Sequence, residues 1–463
     1  MADDDRTTPD GVTDSRADGG AVPVGGIARH GRLRRGHPAA FVAKVAAAAL
    51  AVALVSTTSV AAIATWQVLQ GAPPTVRLSG PDGGTASPVP QLSAQAGEVN
   101  LLLVATDTRE GLGEGYDDPA NQAASTGVGN NDATLLVHIS EDHTNMAVVS
   151  FPRDMIVPMP ACQNDEGGTT PATDGAMLNT ALSRGGQQYG LSCVAQTISQ
   201  LTGVQVDYAG AIKFDGVVAM ADAVGGVDVC LATPVRDDDV TPPLDLEAGT
   251  VKLSGAEAGS FLRSRHGVGD ASDLGRISNQ QTFLSALARQ TVSAGTLTDP
   301  SKVLAIARVA FANMTLSDTL ADAATLAKLG LAVNTVGLSN MVFVQYPASD
   351  APWDPNRVIV DEGPAAVLND ALQRNLPLTL SADSLGRSAV LDPNAPAPAP
   401  APDGSATPSV EPEAPAATDL ATPGGATPGG ATPDGAAVAP PAAALPDSVT
   451  GQSADQVTCA KRG

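Results

Sequence analysis

Three arginines, Arg263, Arg265 and Arg276, fall within 14 residues of a stretch reading SGAEAGSFLRSRHGVGDASDLGRISNQQTFLSALARQ. Residues 98–290 hold ten Lys and Arg against 25 Asp and Glu, so a cluster of three cations is a concentration against an acidic background. Arginine suits planar, bidentate contact with phosphate oxygens. Between these arginines lies a Gly-rich loop, HGVGDASD, and then a helix that Ser272 or Asp273 would cap. A helix N-terminus also favours an anion. Arg276 and Gln280, four apart, share one side of that helix. An ordinary helix end salt-bridged to Asp270 and Asp273 would read the same way. The case for chemistry comes from carboxylates elsewhere: Asp107, Asp132 and the pair Arg153-Asp154 all sit at ends of expected strands, where sites form in open α/β sheets. Two carboxylates beside a diphosphate invite Mg²⁺, which takes oxygen ligands and bridges phosphates. His266 adjoins the arginines but reads as an incidental loop residue.

The elements that must position these groups are legible in outline. Residues 99–105 form a buried strand running out at Thr106-Asp107. Residues 133–139 and 146–151 are strands joined by the polar SEDHTN turn, a hairpin signal. Residues 186–201 read as a helix stopped by Gly203, 206–214 as a strand, 215–224 as a helix ended by Gly225-Gly226, and 227–232 as a strand. Ser254 and Glu257 have capping-box spacing ahead of a short helix. Helices near 301–312 and 319–331 and a strand near 340–344 extend the same domain. Strands alternating with helices, plus a hairpin, predict a mixed sheet with helices on both faces.

The net charge is −23 and the isoelectric point about 4.4, a surface that repels nucleic acid. Residues 1–40 are polar and aperiodic and read as a disordered cytoplasmic segment. Residues 45–65 carry no charge and are long enough to span a bilayer as a helix; with flanks, the span is 41–66. Arg29, Arg32, Arg34, Arg35 and Lys44 precede it, which places the N-terminus in the cytoplasm and the rest outside as a single-pass, uncleaved anchor. Residues 67–97 are a linker and 98–380 a globular domain. Residues 390–463 are an Ala/Pro/Thr/Gly tail whose centre cannot bury enough apolar surface to fold. The four cysteines allow three pairings. Cys162 and Cys193 flank one irregular segment and pair first, leaving Cys230 with Cys459, which would clip the far C-terminus to the core.

The strings NLLLVATDTREG, NNDATLLVHIS, VVSFPRDM, LNTALSRGG, VDYAGAIKFDGVVAMADAVGGVDV and LSGAEAGSFLRSRHGVGDASDLGRISNQQ resemble, in order and spacing, the LytR-CpsA-Psr domain. The resemblance covers residues 98–290 and extends loosely to about 378 through NRVIVDEGPAAVLNDAL. It implies an αβα sandwich with a mixed, largely antiparallel central sheet enclosing an apolar cavity for a polyprenyl chain. It implies an extracytoplasmic phosphotransferase that moves a phospho-glycopolymer from polyprenyl pyrophosphate to a peptidoglycan acceptor, with Mg²⁺. Carried over by motif, the carboxylates are Asp107 and Asp132, which would hold the metal, and Arg153 and Asp154, which with them make the catalytic set. Arg153, Arg263, Arg265, Arg276, Asp273 and Gln280 make the pyrophosphate site. Asn130, Met177 and Asn279 stand where the family usually has cations. Those losses leave two other readings: a non-catalytic scaffold for lipid-linked wall precursor, and a hydrolase of the same pyrophosphate bond.

Overall fold

The computed structural model describes residues 75–80, 92–93, 96–106, 108, 127–293, 300–381, 383–395 and 441–462. The expected cytoplasmic segment and membrane span lie outside these residues, as do Asp107 and the centre of the C-terminal tail. Among the described residues no helix is long and apolar enough to cross a membrane.

The strands that frame the structure are, in chain order, β1 (Thr75–Val76), β2 (Val99–Thr106), β3 (Asn131–Ile139), β4 (Met146–Phe151), β5 (Met155–Met159), β6 (Thr173–Met177), β7 (Tyr208–Lys213) and β8 (Val227–Leu231), followed by β9 (Gly249–Leu253), β10 (Met314–Ser317), β11 (Met341–Gln345), β12 (Ala348–Ala351), β13 (Asp354–Val360), β14 (Ala389–Leu391), β15 (Gly451–Ser453) and β16 (Thr458–Ala460). The helices are α1 (Ala181–Thr202), α2 (Phe214–Ala223), α3 (Gly255–Arg263), α4 (Asp273–Ser293), α5 (Pro300–Asn313), α6 (Ala323–Val336) and α7 (Glu362–Gln373).

An eight-stranded sheet has the order β1-β10-β7-β2-β3-β4-β11-β15. The β2–β3, β3–β4, β7–β10 and β11–β15 pairs are antiparallel, while β1–β10, β2–β7 and β4–β11 are parallel. The sheet is thus mixed and largely antiparallel. Alternation along the strands sends side chains to two faces. On one face Leu102, Val104, Leu136 and Val149 pack with Leu191, Val194 and Ile198 of α1 and Leu368 and Leu372 of α7. On the other, Val99, Ile139, Val148 and Phe343 pack with Phe311 of α5 and Leu329, Ala332 and Val336 of α6. Helices therefore cover both faces, and each helix buries an apolar stripe that it could not leave in water.

Two four-stranded sheets flank this frame, in the orders β9-β8-β16-β14 and β12-β13-β5-β6. The helix ends follow the local chemistry. Gly203 closes α1 in the left-handed region (φ 76°) with its N–H on Ser199 O, where a Cβ would be strained. A non-helical break at Gly186 (φ 73°) separates a short leading segment from the main helix, which begins just after it, as the periodicity over 186–201 suggests. Asp165 caps the second segment by accepting from the N–H groups of Gln187 and Gln188 at 2.6 and 2.9 Å. The capping box at Ser254 does not form: Ser254 occupies the N-cap without a side-chain bond. The Asp222 carboxylate, reaching from α2, accepts the Gly255 N–H instead, at 2.7 Å.

The fold continues past residue 380. β14, β15 and β16 come from segments on either side of the low-complexity stretch, with β15 paired to β11 and β16 inserted between β8 and β14. Disulfides join Cys162 to Cys193 and Cys230 to Cys459. The second closes a span of 229 residues and holds β16 against β8. Just beyond β16, Lys461 O accepts the N–H of Gly269 at 2.9 Å, and Lys461 N donates to Ser388 O at 2.8 Å. The C-terminal strand thus buttresses the Gly-rich loop that follows Arg265.

Cys459→Ser should lower unfolding stability by about 2–5 kcal/mol, the usual range for a native disulfide. It should also accelerate hydrogen exchange at the Gly269 amide far more than at amides in the β3–β4 hairpin. Equal acceleration at both would show that the strand does not brace the loop.

Candidate anion-binding site

The site lies where several strands of the large sheet end. β3 begins at Asn131-Asp132, and β4 runs out through Pro152 into Arg153-Asp154 before β5 starts. Asn131 is fully buried; its side chain donates to Thr134 Oγ1 and accepts the Leu182 N–H at 3.1 Å, which pins this strand end to α1. From the other side come the end of α3 and the first turn of α4. Ser272 Oγ accepts the Gly275 N–H at 3.0 Å and so caps α4, which leaves Asp273 as its first helical residue.

Asp273 gathers the cations. Its Oδ1 lies 2.6 Å from Arg276 Nη2, 3.2 Å from Arg265 Nη2 and 3.9 Å from Arg153 Nε. Arg153 also donates through Nη1 to Asp132 Oδ1 and stands 3.7 Å from Asp154. Arg276 Nη2 donates to the backbone oxygen of Asp132 at 2.9 Å, and only 6% of its side chain is exposed. Three guanidinium groups and three carboxylates therefore share one half-buried space.

The balance differs from residue to residue. Burial opposes the charge of Arg153, yet Asp132 first, then Asp154 and Asp273, hold its pKa above the usual arginine value. Arg265 goes the other way. Burial depresses its pKa, and the repulsion of Arg276 and of Arg153 each outweighs the attraction of Asp273 or Asp154. Positive charge is therefore under-compensated at Arg265, and an oxyanion beside it would relieve that repulsion. Several buried polar atoms here also lack a hydrogen bond among the described residues: Arg153 Nε, Arg276 Nε, Asp273 Oδ2 and Asn179 Oδ1. Buried polar atoms are rarely left so, and a polar ligand would satisfy them.

A cavity of about 570 Å³ opens onto the cluster. Arg153, Asp154, Arg265 and Asp273 line it together with Met177 and Asn179, and Asp350, Arg357 and Arg387 are also in its wall. The lining is mainly polar, so it is suited to a headgroup rather than to a hydrocarbon chain.

The structure brings Asp132, Arg153, Asp154, Arg265, Asp273 and Arg276 together. Arg263 and Gln280 are placed otherwise. Arg263 is the last residue of α3 and donates to the Thr241 backbone oxygen and, at 3.4 Å, to Ser260 Oγ. Arg265 follows the break at Ser264 and so turns to the cluster instead. Gln280 Nε2 donates to Leu262 O at 3.0 Å, and Asn279 Nδ2 to Phe261 O at 2.9 Å. These two amides satisfy orphan carbonyls at the end of α3, and they fix the point from which Arg265 emerges. His266 pairs with Asp239 at 2.8 Å on the exposed side. Arg357 and Arg387 escape a sequence reading that weighs cation density only up to residue 290; their signal is the same scarcity of cations further along the chain.

Of the two expected metal ligands, Asp132 is the described one; its Oδ1 is taken by Arg153, which leaves Oδ2. The described triads with metal-like spacing are Asp237–Asp239–His266 and a set on the Cys230–Cys459 disulfide, and neither includes Asp132. One carboxylate oxygen and a ligand's phosphates suit Mg²⁺, which keeps most of its water.

The LytR_cpsA_psr family model matches residues 79–373. The Probable cell wall biosynthesis protein LcpB of Corynebacterium glutamicum is 30% identical over 275 residues, 58% of this chain and 61% of that protein. The Polyisoprenyl-teichoic acid--peptidoglycan teichoic acid transferase TagV of Bacillus subtilis is 26% identical over 178 residues, 38% of this chain and 42% of that protein. The chain thus spans less than two thirds of the length of these relatives. The crystal structure of B. subtilis TagV superposes on 60% of this chain and 96% of that one, with 20% identity and a TM-score of 0.46.

Asp273→Asn should destabilise the fold by about 3 kcal/mol, the low end for breaking a buried ion pair, since it leaves three guanidinium groups under-neutralised. Added sulfate should restore at least half of that loss in the variant and stabilise the parent protein less. Thermal unfolding with and without sulfate reads both effects, and equal sulfate effects would count against an anion seat here.

Proposed function

Because the chain belongs to the LytR_cpsA_psr family, we propose that it is an extracytoplasmic phosphotransferase that moves a phospho-glycopolymer from a polyprenyl-pyrophosphate carrier to peptidoglycan. The observation that carries this reading is the convergence of Arg153, Arg265 and Arg276 on Asp273 beside a polar cavity. The names of the relatives supply the wall-polymer setting. The domain at 98–380 would be presented outside the cell by a single span at 41–66, with residues 67–97 as linker. An apolar chamber for the polyprenyl chain behind the cluster belongs to the same proposal.

The chemistry follows from the placement. Arg153, Arg265 and Arg276 hold the diphosphate and stabilise the charge that grows on the departing polyprenyl phosphate. A hydroxyl of a peptidoglycan sugar attacks the glycan-side phosphorus. The bond from that phosphorus to the bridging oxygen breaks, and the electron pair leaves with the polyprenyl phosphate. Asp154 lines the cavity, and of Asp107, Asp132 and Asp154 it is the one that takes the hydroxyl proton, because Asp132 is occupied by Arg153 and Asp107 is assigned with Asp132 to the metal. Mg²⁺ held by Asp132 and Asp107 would supply Lewis-acid neutralisation of the phosphate oxygens. Gln280 and Asn279 act from behind, by fixing the end of α3. Arg263 keeps a place in the proposal only as the neighbour that frames the loop.

The test incubates the full chain in detergent with Mg²⁺, a short-chain polyprenyl-pyrophosphate glycan and peptidoglycan fragments. A new sugar–phosphate linkage in the fragments is expected. Arg265→Ala should lower its rate by about 100-fold, the cost of losing one donor to a developing oxyanion, and chelation of divalent cations should abolish it. Donor binding with no product would favour a scaffold, and release of glycan phosphate to water would favour a hydrolase.

A further inference from the structure

We propose that Arg357 and Arg387 form a second oxyanion subsite in the same cavity, one that selects donors whose glycan carries a further phosphate or carboxylate group close to the diphosphate. The proposal rests on the transfer reading above and deepens it. Both residues line the cavity with Arg153 and Arg265. Arg387 lies beyond residue 373, where the family match ends.

Each is keyed to one flank of the inner cluster. Arg357 precedes Val358, which pairs with Met155 in the β5–β13 ladder and donates its N–H to Asp154 O at 3.4 Å. The ladder that sets Arg153-Asp154 thus sets Arg357 too. Arg387 precedes Ser388, whose Oγ donates to Gly275 O at 2.7 Å and whose N–H donates to Ser278 Oγ at 3.2 Å. The first turns of α4, which carry Asp273 and Arg276, therefore fix Arg387. Neither arginine is placed by a free loop.

Both retain donors. Arg357 donates through Nη1 to the backbone oxygen of Asn356 at 2.9 Å, and its Nε is 4.0 Å from Asp354, outside hydrogen-bond range. Arg387 pairs through Nη1 with Asp270 at 2.7 Å. A guanidinium has five N–H donors, so most remain for a ligand. Among the arginines that line the cavity, exposure runs from 23% at Arg153 and 29% at Arg265 to 31% at Arg357 and 48% at Arg387. A diphosphate held at the buried end directs the attached glycan toward the exposed pair. Asp350 shares that wall; it limits the net charge, so the subsite reads one oxyanion rather than a general polyanion.

The experiment measures binding of three short-prenyl diphosphate disaccharides to the full chain: neutral, phosphate-bearing and uronate-bearing. The protein should prefer the anionic donors by about tenfold, the scale of one charge-assisted contact. In the Arg357→Gln, Arg387→Gln double variant the ratio should collapse to about one. Asp270→Asn keeps the Oδ1 acceptor for Ser272 but frees Arg387, and it should raise the ratio above that of the parent. A ratio near one in the parent overturns the subsite while leaving the transfer reading intact, and binding of no prenyl diphosphate overturns both. Persistence of the ratio in the double variant overturns it as well. A parallel arm compares acceptor fragments with free and amidated carboxylates. A shift of that KM ratio in the variants, with the donor ratio unmoved, would assign the arginines to the acceptor instead and overturn the proposal.

Discussion

One oxygen of Asp273 lies within 4 Å of three guanidinium groups. Such an arrangement is stable only if something holds the cations where they repel one another, and the protein does so from three directions. Arg276 is carried by α4 and anchored to the backbone of Asp132. Arg153 arrives at the end of β4 and is held by Asp132. Arg265 emerges from the break after α3. Removing charges from water is costly unless they are paired and hydrogen-bonded, and here the pairing among the described residues is incomplete: Arg265 stays under-compensated and several polar atoms have no hydrogen-bond partner there. The residual imbalance is what an anion in the proposed site would relieve, in a chain whose net charge is −23.

The acidic background matters to this argument. A basic protein would attract anions everywhere, and three arginines would add little selectivity. In an acidic one, long-range repulsion keeps diffuse anions away, and only a ligand that can place oxyanions deep among the arginines gains enough to enter. In the proposed function, the exclusion of polyanions and the recognition of a diphosphate would be two results of one charge distribution.

The sequence shows the elements whose signal is local. The β3–β4 hairpin is two apolar runs around a polar turn, and its strands appear where those runs place them. Gly203 and the Gly225-Gly226 pair stop helices because a left-handed residue is needed there. What the sequence hides depends on contacts between distant residues. The Ser254–Glu257 spacing is a capping box in form, yet Asp222 from another helix takes the donor. Arg263 and Arg265 are two residues apart and look equivalent, but the helix ends between them and sends them to different partners. β15 and β16 are three residues long and follow a low-complexity stretch, so no periodicity announces them. Of these strands, Cys459 alone gives a hint.

That last segment changes how the site should be understood. β16 is held to β8 by the Cys230–Cys459 bond and lies beside β14, and the residue after it bonds to Gly269. Gly269 precedes Asp270, Ser272 and Asp273 within one tight loop, and the Ser388 that Lys461 also contacts is bonded to α4. The C-terminus thus closes a ring of contacts around the loop that presents Arg265 and Asp273. Loop closure over so long a span is costly in entropy, and a covalent bond is an effective way to hold it. Since crowded like charges push the loop apart, a strand pinned outside the family-matched region supplies the restraint that the charges themselves cannot.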